Sequence, residues 1–132
     1  MKNVEEIDSV YTKELEICKR VGKEVCIDVS QCQLNKKDLT ILLHQISKLM
    51  NTTVLSIHSH SFTPQGDTIM AIIADSHIAI HTWPEYKYVA IDIFSCKQNI
   101  PDNIFSYIRN FFETEDITYH TLFRKVHFNN DK

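Results

Sequence analysis

Ser76 follows an acidic residue, Asp75, and heads the run Ser76-His77-Ile78-Ala79-Ile80-His81-Thr82-Trp83-Pro84-Glu85-Tyr86. Two histidines, a tryptophan and a carboxylate crowd into this stretch, whose first half has the composition of a strand. A hydroxyl beside a peptide carbonyl can attack it and exchange the amide for an ester, given a base and an oxyanion stabiliser. Elimination from that ester, then hydrolysis of the enamine, leaves a ketone (a pyruvoyl group) on a new amino terminus. His81 is the candidate base, set against the alternative of a core histidine satisfied by a backbone carbonyl. The spacing from Ser76 to His81 puts the two on opposite faces of a regular strand, so a bend or bulge must bring them together.

Cys96 closes the next strand-like run, Val89-Ala90-Ile91-Asp92-Ile93-Phe94-Ser95. A thiol of ordinary pKa about 8.5 stays mostly protonated near neutral pH and can deliver a proton to a carbanion; a small buried hydrophobe is the plainer alternative. Phe62 opens the turn Phe62-Thr63-Pro64-Gln65-Gly66, in which Pro64 and Gly66 suit a tight reversal. Phe62 and Trp83 offer ring faces to a cation, and Glu85 offers a carboxylate to sugar hydroxyls, so the three suit a cationic, ribose-bearing ligand. His58, His60, His77, His81 and Glu85 also contain donors for a metal, but their spacing fits no metal motif and no metal is expected.

The elements that must position these groups follow from periodicity. Val4, Ile7, Tyr11, Leu15 and Cys18 have helical spacing over residues 4–21, closed by Gly22. Val25, Ile27 and Val29 alternate as a half-buried strand does. Asn35 is placed to cap a helix whose inner stripe is Leu39, Leu42, Leu43, Ile46, Leu49 and Met50. Strands are expected at about 53–60, 68–74, 76–82 and 88–95, then a helix opened by Pro101-Asp102 and running through Ile104, Phe105, Ile108, Phe111 and Phe112. A last strand takes in Ile117, Tyr119, Thr121 and Phe123. The order predicts an α+β two-layer sandwich, a largely antiparallel sheet with helices on one face. The sheet's other face is left for a second subunit to cover, which predicts a dimer.

Composition bounds the rest. The 132 residues suit one domain with its own core, and 43% hydrophobic against 23% charged is ordinary for a globular protein. A net charge of −3 gives no electrostatic reason for nucleic acid or an anionic membrane as partner. No apolar run approaches a membrane span, and the start lacks a signal peptide's apolar segment, so the cytoplasm is expected. Cys18, Cys26, Cys32 and Cys96 form no C-x-x-C pair, and Gly22 and Gly66 are too few for a phosphate cradle.

The run from Ser76 to Tyr86, with Phe62-Thr63-Pro64-Gln65-Gly66 before it and Asp92-Ile93-Phe94-Ser95-Cys96 after, strongly resembles the small prokaryotic S-adenosylmethionine decarboxylases. The resemblance covers about residues 22–125 and leaves 1–21 as an extra amino-terminal helix. It implies a proenzyme that cuts itself between Asp75 and Ser76, leaving a covalent pyruvoyl group that forms a Schiff base with the substrate. In that reading His81 is the proton acceptor in processing, Thr68 supplies an assisting hydroxyl and Cys96 is the catalytic proton donor. Phe62, Trp83 and Glu85 hold S-adenosylmethionine, and cleaved protomers assemble as an (αβ)₂ dimer with active sites at the interface. The chain departs from the family in Asp75 for glutamate, Thr68 for serine, Ser30-Gln31 for tyrosine-glycine, and Lys87 and Lys97 for glycines. Two other readings fit the same residues: a same-fold arginine or ornithine decarboxylase, and an uncleaved regulatory homologue.

Overall fold

From Gly22 onward, apolar residues recurring at every second position become strands, and those at three- and four-residue spacing become helices. The computed structural model describes residues 2–6, 18–97 and 99–128. Among these, β1 (Lys2–Glu6), β2 (Cys18–Val29), β3 (Val54–Ser61), β4 (Asp67–Ile73), β5 (Ser76–Trp83), β6 (Tyr88–Ser95) and β7 (Ile117–His127) form one sheet. Its order is β1-β7-β2-β6-β5-β4-β3. All pairings are antiparallel except that of the edge strand β1, which runs parallel to β7. Helices α1 (Leu39–Leu49) and α2 (Asn103–Phe112) complete an α+β fold.

The pleat sorts the sheet into two faces. Val25, Ile27 and Val29 of β2 stand opposite Ile93, Ile91 and Val89 of β6, which in turn stand opposite Ile78, Ile80 and Thr82 of β5. Onto this layer α1 lays Leu42, Leu43 and Ile46, and α2 lays Ile104, Phe105, Ile108 and Phe112, all in one buried cluster. Each such side chain contributes roughly 1.5–3 kcal/mol by leaving water. The other face has no helix over it among the described residues. Along it run Glu24, Phe94, His77 and Ile72 in one cross-strand row, then Cys26, Asp92, Ala79 and Met70, then Asp28, Ala90, His81 and Thr68. Ile72 and Met70 are 51% and 43% exposed there, large for apolar side chains in the middle of a face.

Two expectations need correction. Residues 4–6 and 18–21 of the expected 4–21 helix are strand, in β1 and β2 respectively; residues 7–17 lie outside the described residues. The helical spacing was real, but pairing of both segments with β7 satisfies a whole row of backbone groups and overrides it. Gly22 is therefore no helix stop. It lies inside β2, where a Cβ would fall 2.4 Å from Cζ of Phe94, so the aromatic ring occupies the space a side chain would take. The second correction concerns α1, which is capped by Asp38 rather than Asn35: the Asp38 carboxylate accepts from the Thr40 N–H at 3.0 Å.

Candidate active site

The hairpin joining β4 to β5 is as short as a hairpin can be: Ile73 pairs with Ser76, leaving only Ala74 and Asp75 to turn the chain. Asp75 takes the left-handed backbone region, φ +70°, at the third position of the turn, a place that favours glycine and tolerates asparagine and aspartate. The turn is anchored to the end of α1's following loop by Ala74 N–H donating to the Thr53 carbonyl at 2.9 Å and the Thr52 hydroxyl donating to the Ala74 carbonyl at 3.2 Å. Ser76 is half-buried, and its Oγ accepts from the Cys96 N–H at 3.2 Å because Ser76 pairs with Ser95 across β5 and β6. Cys96 itself is exposed. The next residue, His77, stacks its ring on Phe94 at 5.7 Å and 20°, the same Phe94 that rests over Gly22. The Asp75–Ser76 bond, the Ser76 hydroxyl and Cys96 thus lie together at one end of β5.

A second cluster occupies the other end. Thr68 and His81 are cross-strand partners, and the Thr68 hydroxyl lies 3.0 Å from Nδ1 of His81, which fixes the ring's orientation. Beside them opens a cleft of about 280 Å³ lined by Phe62, Gln65, Thr68, His81, Trp83 and Glu85 among others. Its rim is built by the 62–66 loop, closed by a Phe62 N–H to Gly66 carbonyl bond of 2.7 Å, and by the Pro84–Tyr86 turn that carries Glu85. Asp67 N–H donates to the Thr82 hydroxyl at 2.9 Å, pinning the loop's exit to β5. The ring of His60 meets that of Phe62 edge-on at 4.6 Å. Every residue expected from the sequence to hold the ligand is at this end.

The expected bulge between Ser76 and His81 is absent. β5 pairs with β4 and with β6 without a register shift, so it runs straight from one cluster to the other. Five residues of strand amount to ~16 Å, and alternation turns the two side chains to opposite faces. Within one chain Ser76 and His81 do not meet. The histidines do not gather either: the described residues contain no group of three or more His, Cys, Asp or Glu side chains able to hold a metal.

Sequence reasoning passed over Tyr88 and Asp28. Tyr88 stands opposite Trp83, ring centroids 5.3 Å apart, and its hydroxyl donates to the Asp28 carboxylate. Alternation alone puts Tyr88 and Asp28 on the face of His81, but only the strand order makes them neighbours. Burial, reinforced by Asp28, pushes the Tyr88 phenol well above its ordinary pKa, so it stays a donor. Burial also pushes the Cys32 thiol up to about 12 and, with help from Asp92 and Glu24, the Cys26 thiol up to about 11.

The fold and the site place the chain in a class of decarboxylases acting on S-adenosylmethionine. Residues 23–125 match the family model described as S-adenosylmethionine decarboxylase. An S-adenosylmethionine decarboxylase proenzyme of Methanococcus vannielii is 35% identical over 104 residues, covering 75% of this chain and 85% of its own. One from Prochlorococcus marinus is 38% identical over 87 residues, 62% of this chain and 71% of the relative. In three dimensions the chain resembles the adenosylmethionine decarboxylase of Aquifex aeolicus, with a TM-score of 0.69 and 25% identity, over 86% of this chain and 97% of that one. The chain belongs to the S-adenosylmethionine decarboxylase family.

Proposed function

We propose that the protein cleaves itself between Asp75 and Ser76 and then decarboxylates S-adenosylmethionine to S-adenosylmethioninamine, the aminopropyl donor for spermidine. We propose further that it works as an (αβ)₂ dimer in which each active site draws on two copies. One observation carries the reading: Asp75, Ser76 and Cys96 lie at one end of β5, and Phe62, Thr68, His81, Trp83 and Glu85 at the other. A two-fold axis lying between two uncovered sheet faces and running across the strands reverses β5, bringing the Thr68–His81 end of one copy to the Ser76 end of its partner. The exposed Met70 and Ile72 on that face supply apolar surface for such an interface.

In processing, the Ser76 hydroxyl attacks the Asp75 carbonyl: a C–O bond forms, the C–N bond breaks, and the hydroxyl proton passes by way of His81 to the departing nitrogen. Thr68 keeps the imidazole aimed. The half-buried serine at a tight turn fits conversion to a pyruvoyl group, whose ketone supplies the electron sink for loss of carbon dioxide. Trp83 and Phe62 take the cationic nucleoside against their rings, Glu85 accepts from the ribose hydroxyls, and Cys96 returns a proton to the carbon that lost the carboxylate.

Complementation tests the shared site. Ser76→Ala and His81→Ala are each inactive alone. Co-expressed, they form mixed dimers with one intact site, and about a quarter of wild-type carbon dioxide release returns. No recovery in verified mixed dimers would place the whole site within one chain. Intact mass separates an active enzyme, split into fragments of 75 and 57 residues, from an uncleaved homologue. Release of carbon dioxide from arginine or ornithine alone would overturn the choice of substrate.

A further inference from the structure

Trp83 presents its ring to the cleft from the last position of β5, where a strand end has little to hold a large side chain in place; it is 39% exposed. Two rings stand beside it. The His81 ring lies 6.3 Å away and the Tyr88 ring 5.3 Å away, inclined at 40°. Tyr88 is in turn tied at its far end to Asp28, two strands from Trp83. The tie is diagonal: Asp28 stands opposite Ala90, and Tyr88 is the next residue of β6 on that face, within reach of an aromatic side chain. Nothing in the proposed chemistry uses Asp28 or the Tyr88 hydroxyl, yet a half-buried carboxylate and a phenol are committed to each other there.

We infer that Asp28 and Tyr88 are positioning residues for substrate binding: the carboxylate fixes the phenol, and the phenol ring fixes the plane of Trp83 against the cationic nucleoside. This deepens the proposed function and rests on its assignment of Trp83 to the ligand. The pair acts on binding rather than bond-breaking because its link to the site runs through the Trp83 ring, which the proposed function gives to the ligand and not to proton transfer. A charge-assisted hydrogen bond is among the stronger single contacts, and an aromatic pair orients best when one ring is held.

Trp83 is the sole tryptophan of the chain, so its fluorescence reads this one ring. Tyr88→Phe keeps the ring and deletes the hydroxyl. In cleaved enzyme without substrate it makes Trp83 about twofold more open to acrylamide quenching, and it raises KM for S-adenosylmethionine about tenfold with kcat within twofold. Asp28→Ala gives the same pair of changes, Asp28→Asn restores both by keeping an acceptor, and the double variant Asp28→Ala/Tyr88→Phe is no worse than either single one. Unchanged quenching in Tyr88→Phe overturns the inference, as does a fall in kcat at constant KM or additive losses in the double variant. The quenching arm needs no substrate. It decides the positioning role even where the wild-type protein releases no carbon dioxide from S-adenosylmethionine, a result that refutes the proposed function instead.

Discussion

Replacing Asp75 with glycine asks whether the backbone at the cleavage site helps to break it. Asp75 holds φ +70° immediately before the bond proposed to break. The left-handed region costs an L-residue roughly 1–2 kcal/mol, somewhat less for aspartate, and costs glycine nothing. That strain belongs to the intact turn and is released once the chain ends at residue 75. If about 1 kcal/mol of it is relieved by the transition state, removing it slows cleavage about fivefold. Glycine also makes the unfolded chain freer by roughly 0.5–1 kcal/mol, but that acts on stability and not on a step within the folded protein. The two effects separate cleanly. In an uncleavable Ser76→Ala background, Asp75→Gly changes stability by less than about 1 kcal/mol, read from denaturant midpoints. With Ser76 present, pulse-labelled protein followed by gel shows the 75- and 57-residue fragments appearing about fivefold more slowly. Cleavage as fast as, or faster than, that of the parent refutes the argument and leaves the left-handed residue as a turn former only.

Thr68→Val keeps the shape and removes the hydroxyl 3.0 Å from His81; loss of about 1 kcal/mol of orientation slows fragment formation about fivefold, and Thr68→Ser retains the rate. Gly22→Ala pushes a methyl group against Phe94 and through it against His77, the residue next to Ser76. It lowers the unfolding free energy by about 1–3 kcal/mol by denaturant titration and slows processing in the same protein. Cys32, whose thiol burial pushes up to about 12, gives the fold stability that is whole below pH 9 and is lost as pH rises toward 12. Cys32→Ala flattens that alkaline slope by up to about 1.4 kcal/mol per pH unit, measured by urea midpoints from pH 8 to 11.

The alternation of Val25, Ile27 and Val29, and of Ile78 and Ile80, was enough to predict strands, and the α1 and α2 stripes enough to predict helices, because each pattern has a face to bury. The residues of the candidate site were legible for a related reason: polar groups inside apolar strands need an explanation. What the sequence did not show was partnership. Lys2–Glu6 and Cys18–Val21 have helical spacing, and only β7, distant in the chain, makes strands of them. The Asp28–Tyr88 contact joins residues 60 positions apart, which no local period can reveal. The two-ended layout of β5 was half visible, since alternation already put Ser76 and His81 on opposite faces. The expected bulge assumed that one chain had to reconcile them, whereas an unbroken register on both sides of β5 keeps them apart.

A cut at the β4–β5 turn divides the molecule in an unusual way. The first fragment keeps β1, β2, β3 and β4, and the second keeps β5, β6 and β7; in the order β1-β7-β2-β6-β5-β4-β3, four of the six strand pairings then join one fragment to the other. Each piece keeps only one pairing of its own, β3 with β4 in the first and β5 with β6 in the second, so the pieces would be woven together rather than docked. Unfolding, which releases one chain per protomer before the cut, would release two afterwards, so the cut would add a concentration dependence of its own to the midpoint. The proposed maturation would therefore work as a ratchet: the cleaved protein could be taken apart, but the covalent turn that guided its assembly would be gone.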